Sequence, residues 1–333
     1  MNPQSLTFAL ATALFASTAF AQMPEPASLL LFPVIRTNAS TISIISVTNT
    51  NRTPATPTSL GGSTNVHFYW HNVQPNPGDP FNPIGCTVFD RVEFLTPTDN
   101  LSVSMACSDP IPPGGGEGYL VLSAQSPGFF NRDWSFNYLM GSIVHIDGAS
   151  NLTYSLNAIP FRSPLADQAA TDLNANGRQD FDGIEYEALR DWLSLDQGLG
   201  LINPSIALVN LTGGPSHINT VVVSAWNDNE VPLSGSIAFR CWFDVRASVL
   251  SLIFTDAFLG LTMNDPQELD LLCIGVGFTE PYWIEFDSVR VDDPNGNFVT
   301  GDGALAGMVS GCPGGRLLWM GGPLQLNGSQ LGL

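Results

Sequence analysis

Val66, Phe68 and Trp70 alternate with His67, Tyr69 and His71, and this two-residue period most limits the folds open to the chain. A strand sends successive side chains to opposite faces, so such alternation describes a half-buried strand and cannot sit still as a helix. From residue 27 to 160 the same texture recurs in short apolar or alternating runs set apart by Gly, Pro, Asn and Thr. That is how two packed antiparallel sheets read. Strands are predicted at Val92–Leu95, Tyr119–Leu122, Ser135–Leu139 and Tyr154–Leu156. Ile42 and Ile44 are followed by Ile45 and Val47, a change of phase that predicts a β-bulge.

Strands resume after Leu201, at Ser205–Leu211, Thr220–Trp226, Ser236–Val245, Tyr282–Val291 and Leu317–Met320. In Ser236–Val245, Ile237, Phe239, Cys241, Phe243 and Val245 fall on one face. A helix is predicted over Ser248–Leu261, where Leu250, Phe254, Ala257, Phe258 and Leu261 form a stripe behind a Ser248 cap. The expected fold class is therefore mainly β: two antiparallel sandwich-like halves, residues 22–160 and 199–333, with a short loop-helix insert at 161–198. In the insert, Ile184, Ala188, Trp192 and Leu195 recur at helical spacing.

Residues 1–21 carry no charge, hold an apolar stretch from Leu6 to Phe20 and end in Ala19, Phe20 and Ala21, as a cleaved signal peptide does. The expected destination is outside the cytoplasm, either secreted to the extracellular space or periplasmic. No segment is long and apolar enough to predict a membrane-spanning helix. The formal net charge is −19 and all eleven basic residues are Arg, which disfavours nucleic acid and anionic membrane surfaces as partners. The absence of Lys also excludes a Walker-type phosphate loop, so Gly114, Gly115 and Gly116 read as a turn. Five cysteines in an exported chain predict disulfides with one thiol left over. Proximity suggests Cys86 with Cys107 and Cys241 with Cys273; Cys273 with Cys312 is equally allowed.

Acidic residues gather in the insert: residues 167–191 hold seven of the chain's 30. Within it, Asp172, Asn174, Asn176 and Asp180 stand at alternate or near-alternate positions around Gly177, with Arg178 between. Alternate oxygen donors and a glycine turn suit a hard cation that takes six to eight oxygens. The stretch resembles the calcium loop of EF-hand and dockerin proteins over about a dozen residues. That resemblance implies side-chain ligands at Asp172, Asn174, Asn176 and Asp180 and a carbonyl ligand at Arg178. Where those families supply a closing carboxylate this chain has Gly183, so the closing ligand falls to Asp182 or Glu185. The implied cofactor is a structural Ca²⁺.

More loosely, Leu29–Pro33, Val47–Asn51, Asp180–Glu187 and Phe239–Trp242 resemble exported bacterial β-rich proteins, which implies export but no activity. Asp292, Asp293, Asn295 and Gly296 read as a plain turn. His67 and His71 lie about 13 Å apart along a strand, too far for a metal pair, and are expected on its solvent face. No GxSxG, HExxH or Ser-His-Asp signature occurs. Trp70, Trp134, Tyr138, Trp226 and Trp283 would make a sugar-stacking platform if exposed, although large aromatics mostly enter cores. The expected function is non-catalytic binding or a structural, surface role, with a carbohydrate or protein surface as ligand. The rival is an extracellular polysaccharide-acting hydrolase or carbohydrate-binding module with structural calcium.

Overall fold

The computed structural model describes residues 25–105, 116–128, 132–149, 152–175, 179–181, 183–187, 192–198, 205–213, 216–227, 232–254, 279–301, 303, 305–311 and 319–320. The chain is mainly β, in four antiparallel sheets. One sheet runs in the order β4 (Gly85–Leu95), β3 (Thr64–Gln74), β6 (Gly116–Gln125), β1 (Leu29–Thr37), β9 (Ile159–Phe161). A second runs β5 (Asn100–Ser104), β2 (Thr41–Asn49), β7 (Leu139–Asp147), β8 (Leu152–Asn157). Val66, Phe68 and Trp70 of β3 and Ile45 and Val47 of β2 belong to one buried cluster, so these two sheets share a core.

The second half repeats the arrangement. One sheet is β10 (Trp192–Gly198), β15 (Thr279–Asp292), β12 (Ile218–Asn227), β13 (Pro232–Arg240), with β16 (Phe298–Thr300) on β15. The other is β14 (Trp242–Arg246), β11 (Ser205–Asn210), β17 (Leu305–Gly311), β18 (Trp319–Met320). Val221, Val223, Phe239, Phe243, Ile284 and Phe286 fill its core. Among the described residues no helix is long and apolar enough to cross a bilayer.

Several expectations need correction. The phase change in β2 is not a bulge: β2 pairs with β7 without a register shift from Thr41 to Asn49. Ser43 and Asn49 take inward positions beside Ile45 and Val47, while Ile42 and Ile44 lie half-buried on the other face. Polar residues can occupy a core face when their groups are satisfied. Asn49 does so by donating to the carbonyls of Gly62 (2.8 Å) and Thr96 (2.9 Å). The irregularity lies instead in β1, where register shifts between Phe32 and Ile35 across Pro33, the residue that cannot donate to a ladder.

Ser135–Tyr138 is not strand; the chain turns there and β7 begins at Leu139. Backbone bonding explains it: Ser135 N–H donates to Ala169 C=O (2.7 Å) and Phe136 N–H to the Ser28 hydroxyl (2.7 Å), leaving no strand partner. Ser236–Val245 is two strands. At Cys241 the backbone takes φ 61°, and the chain leaves one sheet as β13 and enters the other as β14. Cys241 and Trp242 therefore join the first core while Phe239, Phe243 and Val245 stay in the second. The helix expected from Ser248 is one helical turn, Ala247–Leu250, with Arg246 at the N-cap position and Ser251 N–H closing it onto the Ala247 carbonyl, followed by a 3₁₀ turn at Leu252–Phe254; its expected continuation lies outside the described residues.

In the insert the helix is absent at the described positions. Gly183–Tyr186 bend, and Trp192–Gly198 pairs as β10 with Thr279–Glu285 of β15. Pairing with β15 along all seven residues outweighs a weak helical stripe. The disulfide also differs from expectation: Cys86 bonds to Cys241 rather than Cys107, and Cys241 is thereby closed to Cys273. Fold topology, not sequence distance, brings β4 beside the β13–β14 corner. Cys107, Cys273 and Cys312 lie outside the described residues, as do residues 1–21.

Candidate functional site

The acidic insert is pinned to the first sandwich by aromatic side chains. Phe181 and Tyr186 are fully buried members of the first core. Phe181 meets the Phe161 ring edge-on at 4.3 Å and lies 5.5 Å from Tyr186. The Tyr186 hydroxyl shares a hydrogen bond with Thr171 (3.1 Å), tying the end of the loop to its beginning. Burial of this phenol, with Asp133 adding negative charge nearby, holds its pKa well above the ordinary value.

Between those anchors the candidate ligands converge in part. Glu185 is buried, and its carboxylate accepts the backbone N–H of Leu173 (2.6 Å) and of Asp180 (3.3 Å). Asp180 is buried too, and its carboxylate accepts Asn174 Nδ2 (2.7 Å). Burial pushes the Glu185 carboxyl upward, the Leu173 N–H opposes it, and the charges of Asp180 and Asp172 push the same way as burial. Asp172, Asn174, Asp180 and Glu185 thus share one neighbourhood; Asn176, Arg178 and Asp182 lie outside the described residues. Among the described residues no three His, Cys, Asp or Glu side chains are grouped to hold an ion.

Gly183 explains how Glu185 comes to face inward. Its φ is +80°, and an added Cβ would meet nothing within 4 Å, so the requirement is conformational rather than steric. The turn it makes is closed by Gly183 N–H to Tyr186 C=O (2.8 Å) and Tyr186 N–H to Asp180 C=O (3.2 Å). Glycine stands at the closing position of the loop because the backbone must reverse there.

A second polar cluster escaped the sequence reading. Asp133 accepts Ser123 Oγ and Gln125 Nε2 on one oxygen, each at 2.9 Å, and Gln179 Nε2 on the other at 2.7 Å. Gln179 is the loop residue before Asp180, so this carboxylate ties the loop to β6. Gln125 Nε2 also approaches His67 Nδ1 at 3.0 Å; an amide nitrogen only donates, so Nδ1 is the bare nitrogen and Nε2 carries the proton. Burial lowers the His67 pKa, with Asp90 and Asp133 opposing. The only sequence signal for this hub was that Asp133 precedes an aromatic run.

His71 and His145 are not surface groups. His71, expected to face solvent, is 1% exposed and stacks on Tyr119 with centroids 4.1 Å apart. Burial alone depresses its pKa to about 3. His145 is equally buried and bonds to the Ser43 hydroxyl at 2.9 Å. Trp70 and Trp134 are core residues. The plain turn at Asp293 holds: its carboxylate accepts the N–H groups of Asn295 and Asn297, each at 2.8 Å.

No protein-family model matches the chain, and no curated protein matches it.

Proposed function

We propose that the chain is an exported, non-catalytic binding or structural protein whose acidic loop is stabilised by Ca²⁺. The observation that carries the calcium reading is the buried Glu185 carboxylate turned into the loop beside Asp180 and Asp172. Neighbouring carboxylates repel, and a hard divalent cation bound by their oxygens relieves that repulsion. Asp172, Asn174, Asp180 and Glu185 would hold it, with Asn176, the Arg178 carbonyl and Asp182 as further donors. All are oxygen donors, the class calcium takes. Because Phe181 and Tyr186 root the loop in the first core, the ion would stabilise the insert on the first sandwich.

The non-catalytic reading is supported by the state of the other reactive groups. Ser43 and His145 are enclosed in the first sandwich, and His71 is covered. The ligand is then a carbohydrate or protein surface, met by the outer faces of the sheets.

Thermal unfolding of the full chain in EDTA and in millimolar Ca²⁺, with Mg²⁺ as control, tests the calcium reading. A calcium-specific rise in Tm that Asp172→Ala abolishes is expected; an equal Tm in all three conditions overturns it. Release of reducing ends from polysaccharides, assayed with and without Ca²⁺, should stay at background. Turnover above background would overturn the non-catalytic reading.

A further inference from the structure

Where the halves meet, Ala207, Val209 and Leu211 and Ala306 of β17 enter the first core with Trp242, and the polar groups lie between β1 and β14. Trp242 Nε1 donates to the Pro33 carbonyl at 2.7 Å, using an oxygen at the register shift in β1. Three residues on, Arg36 pairs with Asp244 of β14, and its Nε lies 3.8 Å from Glu117 of β6. The Asp244 side chain is only 6% exposed. Removing one member of such a pair leaves a desolvated charge, a strongly unfavourable state.

One buried imidazole, His145, flanks this contact, and a second, His71, is buried on β3. Ser43 Oγ accepts the Arg36 N–H (2.9 Å) and donates to the Arg36 C=O (2.7 Å). Its one proton is thereby used, so His145 Nδ1 must donate to it and Nε2 is the bare nitrogen. Nε2 has no hydrogen-bond partner among the described residues. A proton added there would find no acceptor and would face the Arg36 guanidinium; the other titratable neighbours are Tyr154 of β8, ring to ring at 4.8 Å, and Asp147 two residues along. On β3, His71 likewise has no partner for either nitrogen among the described residues. Its face of the sheet continues to Val73, opposite Cys86, whose disulfide reaches Cys241 beside Trp242. Charged groups on the elements around it are Asp90 on β4, Glu117 on β6, and Arg240 and Asp244 on either side of the β13–β14 corner; Arg91 and Glu93 of β4 pair with Phe68 and Val66 on the opposite face. None of these contributes to its shift, which is burial alone.

We propose that this junction is an acid-sensitive latch: on acidification the β1–β14 contact opens while each half keeps its own sheets, and the Cys86–Cys241 disulfide holds the halves together as a tether. The order of events follows from the groups. Glu117, held above its ordinary range chiefly by burial, loses its charge first and takes one partner from Arg36. Protonation of His145 then sets a second positive charge against Arg36, and protonation of His71 places a bare charge on the face of β3 that leads to the disulfide. Each event is relieved by admitting water to the junction, and none requires a ladder within either half to break.

Hydrogen exchange of the full, disulfide-intact chain between pH 7.5 and 4, corrected for intrinsic rates, tests the latch. Exchange of the Trp242 indole N–H, which is bonded across the junction to Pro33, should speed up by about tenfold or more while the ladder amides of Leu29–Leu31 and of Val221–Ala225 stay protected. His71→Phe, which keeps a ring against Tyr119, should move the midpoint down by about one pH unit. His145→Gln is read in the same way and stands in if His71→Phe does not fold. Faster exchange of the indole and of both ladder segments together, or of none of them, overturns the latch from the wild-type data alone; an unshifted midpoint in whichever variant folds overturns the role of the histidines.

Discussion

Cys86 on β4 is disulfide-bonded to Cys241 at the β13–β14 corner, with Cα atoms 6.5 Å apart and 155 residues between them in sequence. The bond joins the two β halves and closes nearly half of the chain into one loop. A crosslink acts mainly on the unfolded chain, and the longer the loop the more entropy it removes. Cys86→Ser with Cys241→Ser is therefore expected to lower unfolding free energy by about 4–5 kcal/mol in the chain-entropy model. Urea unfolding of the double variant against wild type measures it. A loss under about 1 kcal/mol would show that the unfolded chain gains little freedom from the break.

Trp242 donates to Pro33 across the same junction while its ring sits in the first core. Trp242→Phe keeps an aromatic ring but strands the Pro33 carbonyl in a buried site. The expected destabilisation is about 1–3 kcal/mol, the penalty for an unsatisfied buried acceptor. Thermal unfolding followed by circular dichroism reads it, and an unchanged Tm would mean that water replaces the indole.

The contrast between these contacts and the strands beside them shows what a sequence discloses. The alternation at Val66, Phe68 and Trp70 is local, and β3 follows it residue by residue. Cys86 with Cys241 is not local: the pairing depends on how two sheets are placed, which spacing along the chain does not encode. The same reason hid Asp133, whose three donors arrive from β6 and from the loop. Misreadings at Ile44 and at Trp192 have another cause. In β2 polar Ser43 and Asn49 occupy core positions because hydrogen bonds satisfy them, and at Trp192 a strand partner overrides helical spacing. At the loop, the composition pointed to the neighbourhood of Asp172, Asn174, Asp180 and Glu185, but not to the aromatic anchors that seat it.

His71 and His145 set a pH dependence of stability. Burial holds both near a pKa of about 3, against 6.5 when exposed. Between those values the unfolded chain binds protons that the folded chain refuses, so stability rises with pH. The contribution is complete above about 6.5, declines as pH falls, and is gone below about 3. Each histidine adds a slope of up to about 1.4 kcal/mol per pH unit within that window. Chemical denaturation from pH 4 to 7.5 measures the slope, and His71→Phe should remove about half of the histidine part. A slope identical to wild type would show that His71 is hydrated in the folded protein.

Asp133 tests whether the acidic loop is seated by side chains of the sheet. Ser123, Gln125 and Gln179 all donate to its carboxylate, and Gln125 and Gln179 are buried. Asp133→Ala removes every one of those acceptors at once and leaves buried amide donors facing a void. Hydrogen bonds to a charged group contribute about 1.5–3 kcal/mol each, but the three share one carboxylate and water enters part of the gap. A net loss of about 3 kcal/mol is expected in urea unfolding. The local effect is more diagnostic than the total. Because Gln179 precedes Asp180, hydrogen-exchange protection should fall at Gln179–Phe181 and Gly183–Glu187 and remain at Val221–Ala225. Protection in the loop equal to wild type would mean that Phe181 and Tyr186 seat it unaided, and that the Asp133 hub serves β6 alone.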